Sequence, residues 1–352
     1  MSKDHSVEMD ALAAHLDRGW DLLHHGDVAG ARLSAAHILR LNPDSPEGHT
    51  LLGAIHVAQG EPQEGLEYLQ QAMELDPEYL DAVLYAAELL IHTLGEVERG
   101  LRLCDEAEEL ALEPEDRLDL GLMRAEGYLL AGKLEQATAA LDGVQRYPCR
   151  EPGSALRAGR VNLDVGRPER AVELLTTLVE MEEYRADAHY FLGVAKEQLG
   201  AQVEALEHFL CAARLDREHP GPGWTLTMPE LEQVVCDVLG GLPAEVRRTL
   251  QGLPLRLLGF PALELIAEGF DPRGLVFVST VVHAAGQQRE GADSDCRPSG
   301  LFVYKANLER VTPTRADVAS TLQQALLQEL EALFHPGPVD CSPVGRVGGA
   351  DN

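Results

Sequence analysis

Six glycines recur through the first part of the chain at Gly26, Gly60, Gly95, Gly132, Gly166 and Gly200, spaced 34, 35, 37, 34 and 34 residues apart. Each is followed five residues later by a small residue: Ala31, Gly65, Gly100, Ala137, Ala171 and Ala205. Seven residues ahead of five of them stands another, at Gly19, Gly53, Ala125, Gly159 and Gly193, and Ala87 fills that place in the third unit with one residue inserted. Pro43 and Pro77, again 34 apart, close the first two units. This register describes a helix–turn–helix unit. Small residues let the two helices approach, the mid-unit glycine makes the turn between them, and the proline stops the second helix. Units of this kind bury their apolar faces against their neighbours, so the spacing predicts a stacked, all-helical array.

The array resembles the tetratricopeptide repeat family over about residues 10–217, as six units. The resemblance implies a right-handed superhelix whose inner groove, lined by the first helix of each unit, holds a segment of another protein. Counting from the small residue places Leu16, Trp20, His24, Thr50, Val57, Leu84, Glu88, His92, Glu126, Arg157, Arg160, Tyr190 and Glu197 on that inner side. The partner-binding residues expected are Trp20, His24, Leu84, Glu88, His92, Glu126, Arg157, Arg160, Tyr190 and Glu197. The family's clamp for C-terminal carboxylates uses Lys and Asn at such places. Here they are mostly apolar or acidic, which argues against capture of that kind.

Charge narrows the partners. The 352 residues carry a formal net charge of −29. Residues 1–223 hold 42 acids and 19 bases, and residues 224–352 hold 16 and 10. Phosphate binding needs concentrated Lys and Arg, so nucleic acid is excluded as a default partner, and an anionic membrane surface with it. No apolar stretch approaches the roughly 18 residues that span a bilayer. The first residues, MSKDHSVEMDALAAHL, place acids where a signal peptide needs a basic flank, and the six cysteines show no CxxC pair. These features lead us to expect reduced thiols and a cytoplasmic location. One stretch interrupts the acidity: Arg146, Arg150, Arg157, Arg160, Arg167 and Arg170 face only Glu151, Asp164 and Glu169 within the same 25 residues. Two readings fit this island, a receptor for an acidic partner segment or internal compensation of acid-rich neighbouring repeats.

Composition changes at HPGPGW (219–224), where breakers cluster, and β-rich runs appear only after it. We therefore expect six repeats over 1–219, a second domain over 224–335 and a disordered tail over 336–352. The second domain reads as a helix from Met228, a short helix at LPAEVRRTL, strands at LPLRLLGF, LVFVSTVV and GLFVYKANLER, and a long helix from Arg315 to Phe334. Cys236 falls on the apolar face of the first of these helices and reads as a small core residue. Cys296 lies by the polar loop and reads as incidental.

The segments LEQVVCDVLGGLP (231–243), RGLVFV (273–278), GLFVYKANLE (300–309) and LLQELEALF (326–334), in that order, resemble the small bacterial zincin-like metallopeptidase family. The fold class expected is thus mainly α: a tetratricopeptide solenoid followed by a small α+β zincin-like domain. The family's chemistry rests on HExxH, in which two imidazoles one helical turn apart hold zinc and the glutamate activates its water. This chain has Gln328, Glu329 and Ala332 at those places, so both histidines are replaced and only the glutamate remains. The resemblance implies a vestigial centre with no metal, no cofactor and no catalytic residue, hence a pseudoenzyme. The function expected is a protein-interaction scaffold, the second domain serving as a further docking surface. The alternative is a repeat-targeted zinc peptidase with a non-standard metal site around Glu329.

Overall fold

The computed structural model describes residues 3–218, 224–282, 296–312 and 314–334. The chain divides into two compact units, Met1–Leu178 and Val179–Asn352.

The first unit is built of helical pairs: α1 (Lys3–His24) with α2 (Val28–Leu41), α3 (Pro46–Ala58) with α4 (Pro62–Leu75), α5 (Leu80–Glu88) with α6 (Val97–Ala107), α7 (Pro114–Leu130) with α8 (Leu134–Val144), and α9 (Pro152–Asp164) with α10 (Pro168–Leu175). Prolines open α3, α4, α7, α9 and α10, where the missing N–H costs nothing. All six periodic glycines have φ between 69° and 79°, and a Cβ added to any of them would meet nothing within 4 Å. Backbone conformation, not crowding, selects them. After Gly60, for example, the Glu61 N–H donates back to His56 O at 2.9 Å and closes the end of α3. The other small residues answer to space. A Cβ on Gly53 would come 3.0 Å from Gly65 O, and one on Gly65 would come 2.9 Å from Gly53 O, because α3 and α4 cross there backbone to backbone. Leu51, Ile55, Leu69, Leu90 and Leu122 are fully buried between the pairs.

The residue inserted in the third repeat becomes a π-helical turn, Leu89–Thr93, continuing α5. The extra residue is absorbed inside the helix, and the following glycine turn survives at Gly95.

The second unit contains the sixth pair, α11 (Arg185–Gln198) with α12 (Gln202–Glu218), followed by α13 (Met228–Gly241), α14 (Ala244–Leu250), β1 (Leu255–Leu258), α15 (Leu263–Ala267), β2 (Val276–Val282), β3 (Cys296–Tyr304), α16 (Lys305–Val311) and α17 (Val318–Phe334). The sheet order is β1-β3-β2, with β1 parallel and β2 antiparallel to β3. Its core joins Leu231, Val235 and Val238 of α13, Val276, Val278, Leu301 and Val303 of the sheet, and Leu322, Leu326 and Leu330 of α17. Thr227 and Glu230 form a capping box at the start of α13.

Three local expectations change. The strand read through GLFVYKANLER ends at Tyr304 and turns into α16, where Leu308 is buried one helical turn on and Asn307 donates to Pro272 O and Gly274 O. The long terminal helix begins as a 3₁₀ turn, Arg315–Asp317, and becomes α-helical at Val318. Cys236 is exposed, because it lies about 100° round α13 from the buried Val235. The breaker segment at 219–223, most of the polar loop before Cys296 and the tail from 335 lie outside the described residues, as does the Cys296 side chain.

Candidate protein-binding face

In the first unit, side chains of non-neighbouring first helices meet. The rings of Trp20 on α1 and Tyr85 on α5 lie 6.3 Å apart and tilted by 52°, although α3 stands between those helices in sequence. Contact across an intervening pair requires the first helices to line the inner side of a curve. The His24 ring lies 6.3 Å from the same tryptophan, tilted by 34°. Leu84 is half-buried against Val83, Ala87 and Ile91, whereas Tyr85 packs on Leu66, Leu69 and Leu90, and Glu88 is exposed one turn beyond Leu84. Counting from the small residue marks Leu84 and passes over its neighbour Tyr85.

Further along, the first helices share one ion cluster. Glu126 on α7 is buried at 5% exposure, and its two oxygens take everything offered. His92 Nε2 lies 3.2 Å from Oε2, Arg157 Nε donates to Oε2 at 2.9 Å, Arg157 Nη2 makes a second contact there, and Arg160 Nη2 donates to Oε1 at 2.5 Å. The spacing of 34 residues from His92 to Glu126, and again to Arg160, is the repeat period itself. Burial alone would raise the Glu126 pKa. The hydrogen bonds from His92 and Arg157 and the charges of Arg157 and Arg160 overcome it and hold the carboxyl at about 2.

The arginine island has internal partners throughout. Arg150 pairs with Glu115 at 3.2 Å, Arg167 with Asp142 at 2.7 Å and Arg170 with Glu173 at 2.5 Å. Arg146 donates to the Tyr147 hydroxyl at 2.8 Å and lies over its ring. Of the two readings of the island, internal compensation is the one these contacts match.

Two expected groove residues lie in the second unit. Glu197 is exposed on α11. Tyr190, expected to face a partner, is instead committed within its own unit. Its hydroxyl donates to Asp271 at 3.1 Å, and the Arg273 guanidinium sits 4.5 Å over its ring. Arg273 also bonds Asp216 at 3.0 and 3.1 Å and Asp187 at 2.7 Å, and Arg310 bonds the same Asp216 at 2.6 Å. Asp216, 3% exposed, is thus the node that ties α12 to the segments around β2 and to α16. No periodicity signalled it, since its partners are 57 and 94 residues away.

The residues at the HExxH places do not fit a zinc ion. Gln328 is exposed, and the half-buried Glu329 carboxylate accepts from the Val278 N–H at 3.3 Å, while the Ala332 side chain lies outside the described residues. Burial raises the Glu329 pKa, with the Val278 hydrogen bond opposing it. Among the described residues no three His, Cys, Asp or Glu side chains converge as a metal site, and no helix is long and apolar enough to cross a membrane.

Comparison with known proteins bears on the repeats. Residues 16–79 and 156–220 match one tetratricopeptide-repeat family model, and residues 56–115 match another. Among solved structures, PilF of Pseudomonas aeruginosa is 17% identical over 65% of this chain and 99% of its own, with a TM-score of 0.48. PilW, a type IV pilus biogenesis factor, is 17% identical over 64% and 98%, with a TM-score of 0.47. YrrB, described as a tetratricopeptide protein with an unusual peptide-binding site, is 17% identical over 53% and 93%, with a TM-score of 0.38. No protein of curated function matches the chain. Residues 16–115 and 156–220 carry tetratricopeptide repeats.

Proposed function

We propose that the protein is a non-enzymatic interaction scaffold that holds a segment of a partner protein against the inner face of its first unit. The observation that carries this reading is the meeting of Trp20 and Tyr85 across α3, with the exposed Glu88 one turn along from Tyr85. An amphipathic ring pair half-open on a concave face offers large contact area at low conformational cost. Arg157 and Arg160 serve this face as its scaffold, since both are spent on Glu126. They therefore give no ground for an acidic partner segment.

The second unit, on this reading, is a further docking surface rather than a peptidase. On this reading Gln328 and Ala332, standing where the two imidazoles would be needed, leave Glu329 without the metal its chemistry requires. A zinc assay of the purified protein tests this part: stoichiometric metal lost on Glu329→Ala would restore the hydrolase alternative.

The groove reading is tested by placing a photo-crosslinking residue at Leu84 and, separately, at the outward Leu33, which is 68% exposed. Crosslinks to a discrete partner from position 84 and none from 33 are expected. Equal capture from both, or capture from 33 alone, would sink the groove as the binding face.

A further inference from the structure

We infer that the occupant of the inner face of the first unit is a basic segment, recognised by a Lys or Arg side chain seated between Trp20, Tyr85 and Glu88. This deepens the groove reading above and rests on it.

Three observations point the same way. First, the half-buried Trp20 and Tyr85 rings lie 6.3 Å apart and tilted by 52°, with the His24 ring also beside Trp20, so two π systems meet at one place on this face. Ring faces attract cations and are indifferent or hostile to carboxylates. Second, a carboxylate close to Tyr85 is free. Glu88 is exposed, makes no ion pair among the described residues, and lies close enough to Tyr85 that, after burial, its charge is what raises the phenol's pKa. Third, the charge of the face is unbalanced. Glu88 and Asp119 act on Arg157, and Asp164 is under the influence of Arg160 and Glu126. Glu126 thus takes both guanidiniums and His92, while Glu88, Asp119 and Asp164 form no ion pair among the described residues. What remains uncompensated on this face is negative. An acidic segment would meet like charge, with both guanidiniums of the cluster already bonded to Glu126. A basic one gains two aromatic faces and a carboxylate at one position.

The test uses the full chain with Trp224→Phe, which leaves Trp20 as the reporting fluorophore. It is titrated with three short synthetic peptides of one length, in which the same positions carry Lys, Gln or Glu. The Lys peptide is expected to shift Trp20 emission and to bind at least about tenfold more tightly than the Gln peptide. That advantage should shrink as salt rises through about 0.15 M. Glu88→Gln and Trp20→Ala are each expected to weaken the Lys peptide about fivefold or more, with Glu74→Gln on the exposed side of α4 leaving it unchanged. Preference for the Glu peptide would overturn the inference. Equal loss from Glu74→Gln and Glu88→Gln would also overturn it, because attraction would then be diffuse. Trp20-dependent binding of all three peptides alike would overturn the basic specificity and leave the groove reading standing. A Lys peptide that bound with no dependence on Trp20 would remove both.

Discussion

Single residues in this protein act through ionisation as much as through packing. Glu126 is buried and held as a carboxylate near pKa 2, so its contribution to stability is fully present above the ordinary Glu value of about 4.3. That contribution is lost as pH falls through about 2. Glu126→Gln should cost the first unit on the order of 3 kcal/mol at neutral pH, because Arg157 is left half-buried without its counter-charge. Urea unfolding at pH 7 and below pH 3 checks this, with the gap between wild type and variant closing in acid. A second ionising pair lies between α11 and α12. His189 and His208 place their Nδ1 atoms 2.9 Å apart with ring centres 5.1 Å apart, so the rings point at each other nearly head-on. That geometry suits one N–H···N hydrogen bond and is wrong for convergence on a metal. Burial, with Arg185 beside His189, lowers one pKa. Burial, with His189 and Lys196, lowers the other against the opposing pull of Glu207 and Glu204. With both folded-state values below the unfolded one, the pair stabilises fully above pH about 6.5 and loses that effect as the pH falls further. Thermal unfolding from about pH 8 to 5 should show the second unit weakening in acid. His208→Asn should flatten the dependence, and an unchanged slope would rule the pair out as its source.

At the scale of the element, two kinds of glycine with different duties were legible in one repeat pattern. Those at the turns adopt positive φ in open space, while those inside helices stand where helices touch. A Cβ at Gly159 would come 2.7 Å from Leu175 Cγ and Cδ2, so Gly159→Ala should destabilise the fifth pair by about 1–3 kcal/mol. Gly143→Ala in α8 meets nothing within 4 Å and should instead stabilise by up to about 1 kcal/mol through helix propensity. Calorimetry of the two variants separates crowding from propensity. Elements outside the repeats are less legible in the sequence. The turn from β3 into α16 depends on Asn307 bonding two carbonyls more than thirty residues earlier, which no local pattern encodes.

For the whole molecule, the division between the two compact units falls ahead of the sixth pair, at Leu178/Val179, and not where the composition changes. The sixth pair shares a unit with the segments that follow it, joined through Asp216 to Arg273 and Arg310. Removing residues 224–352 would leave Asp216 stripped of both cations. Amide exchange of the truncated chain should then show α11 and α12 losing protection, with α3 to α8 unchanged. Retained protection in α12 would mean that the sixth pair is stable alone. The charge of −29 also takes on a spatial meaning. Five arginines of the island pair with internal carboxylates and Arg146 with the Tyr147 hydroxyl, so the one basic stretch of the repeats is turned inward on its own neighbours.

By itself the sequence determined the repeat: its period, its glycine turns and its small-residue crossings, because these depend on backbone conformation and on neighbours within one unit. It also marked Trp20, Glu88, Glu126, Arg157 and Arg160 as belonging to one face, since that face repeats with the same period. Only the tertiary structure decided what those residues do. Glu126 became a buried anchor, the arginines its counter-ions, Tyr190 an internal contact, and Trp20 and Tyr85 an open pair across α3. Charge and ring contacts between distant repeats are set by how far the stack curves, and curvature is a sum over many packed interfaces that no single repeat contains.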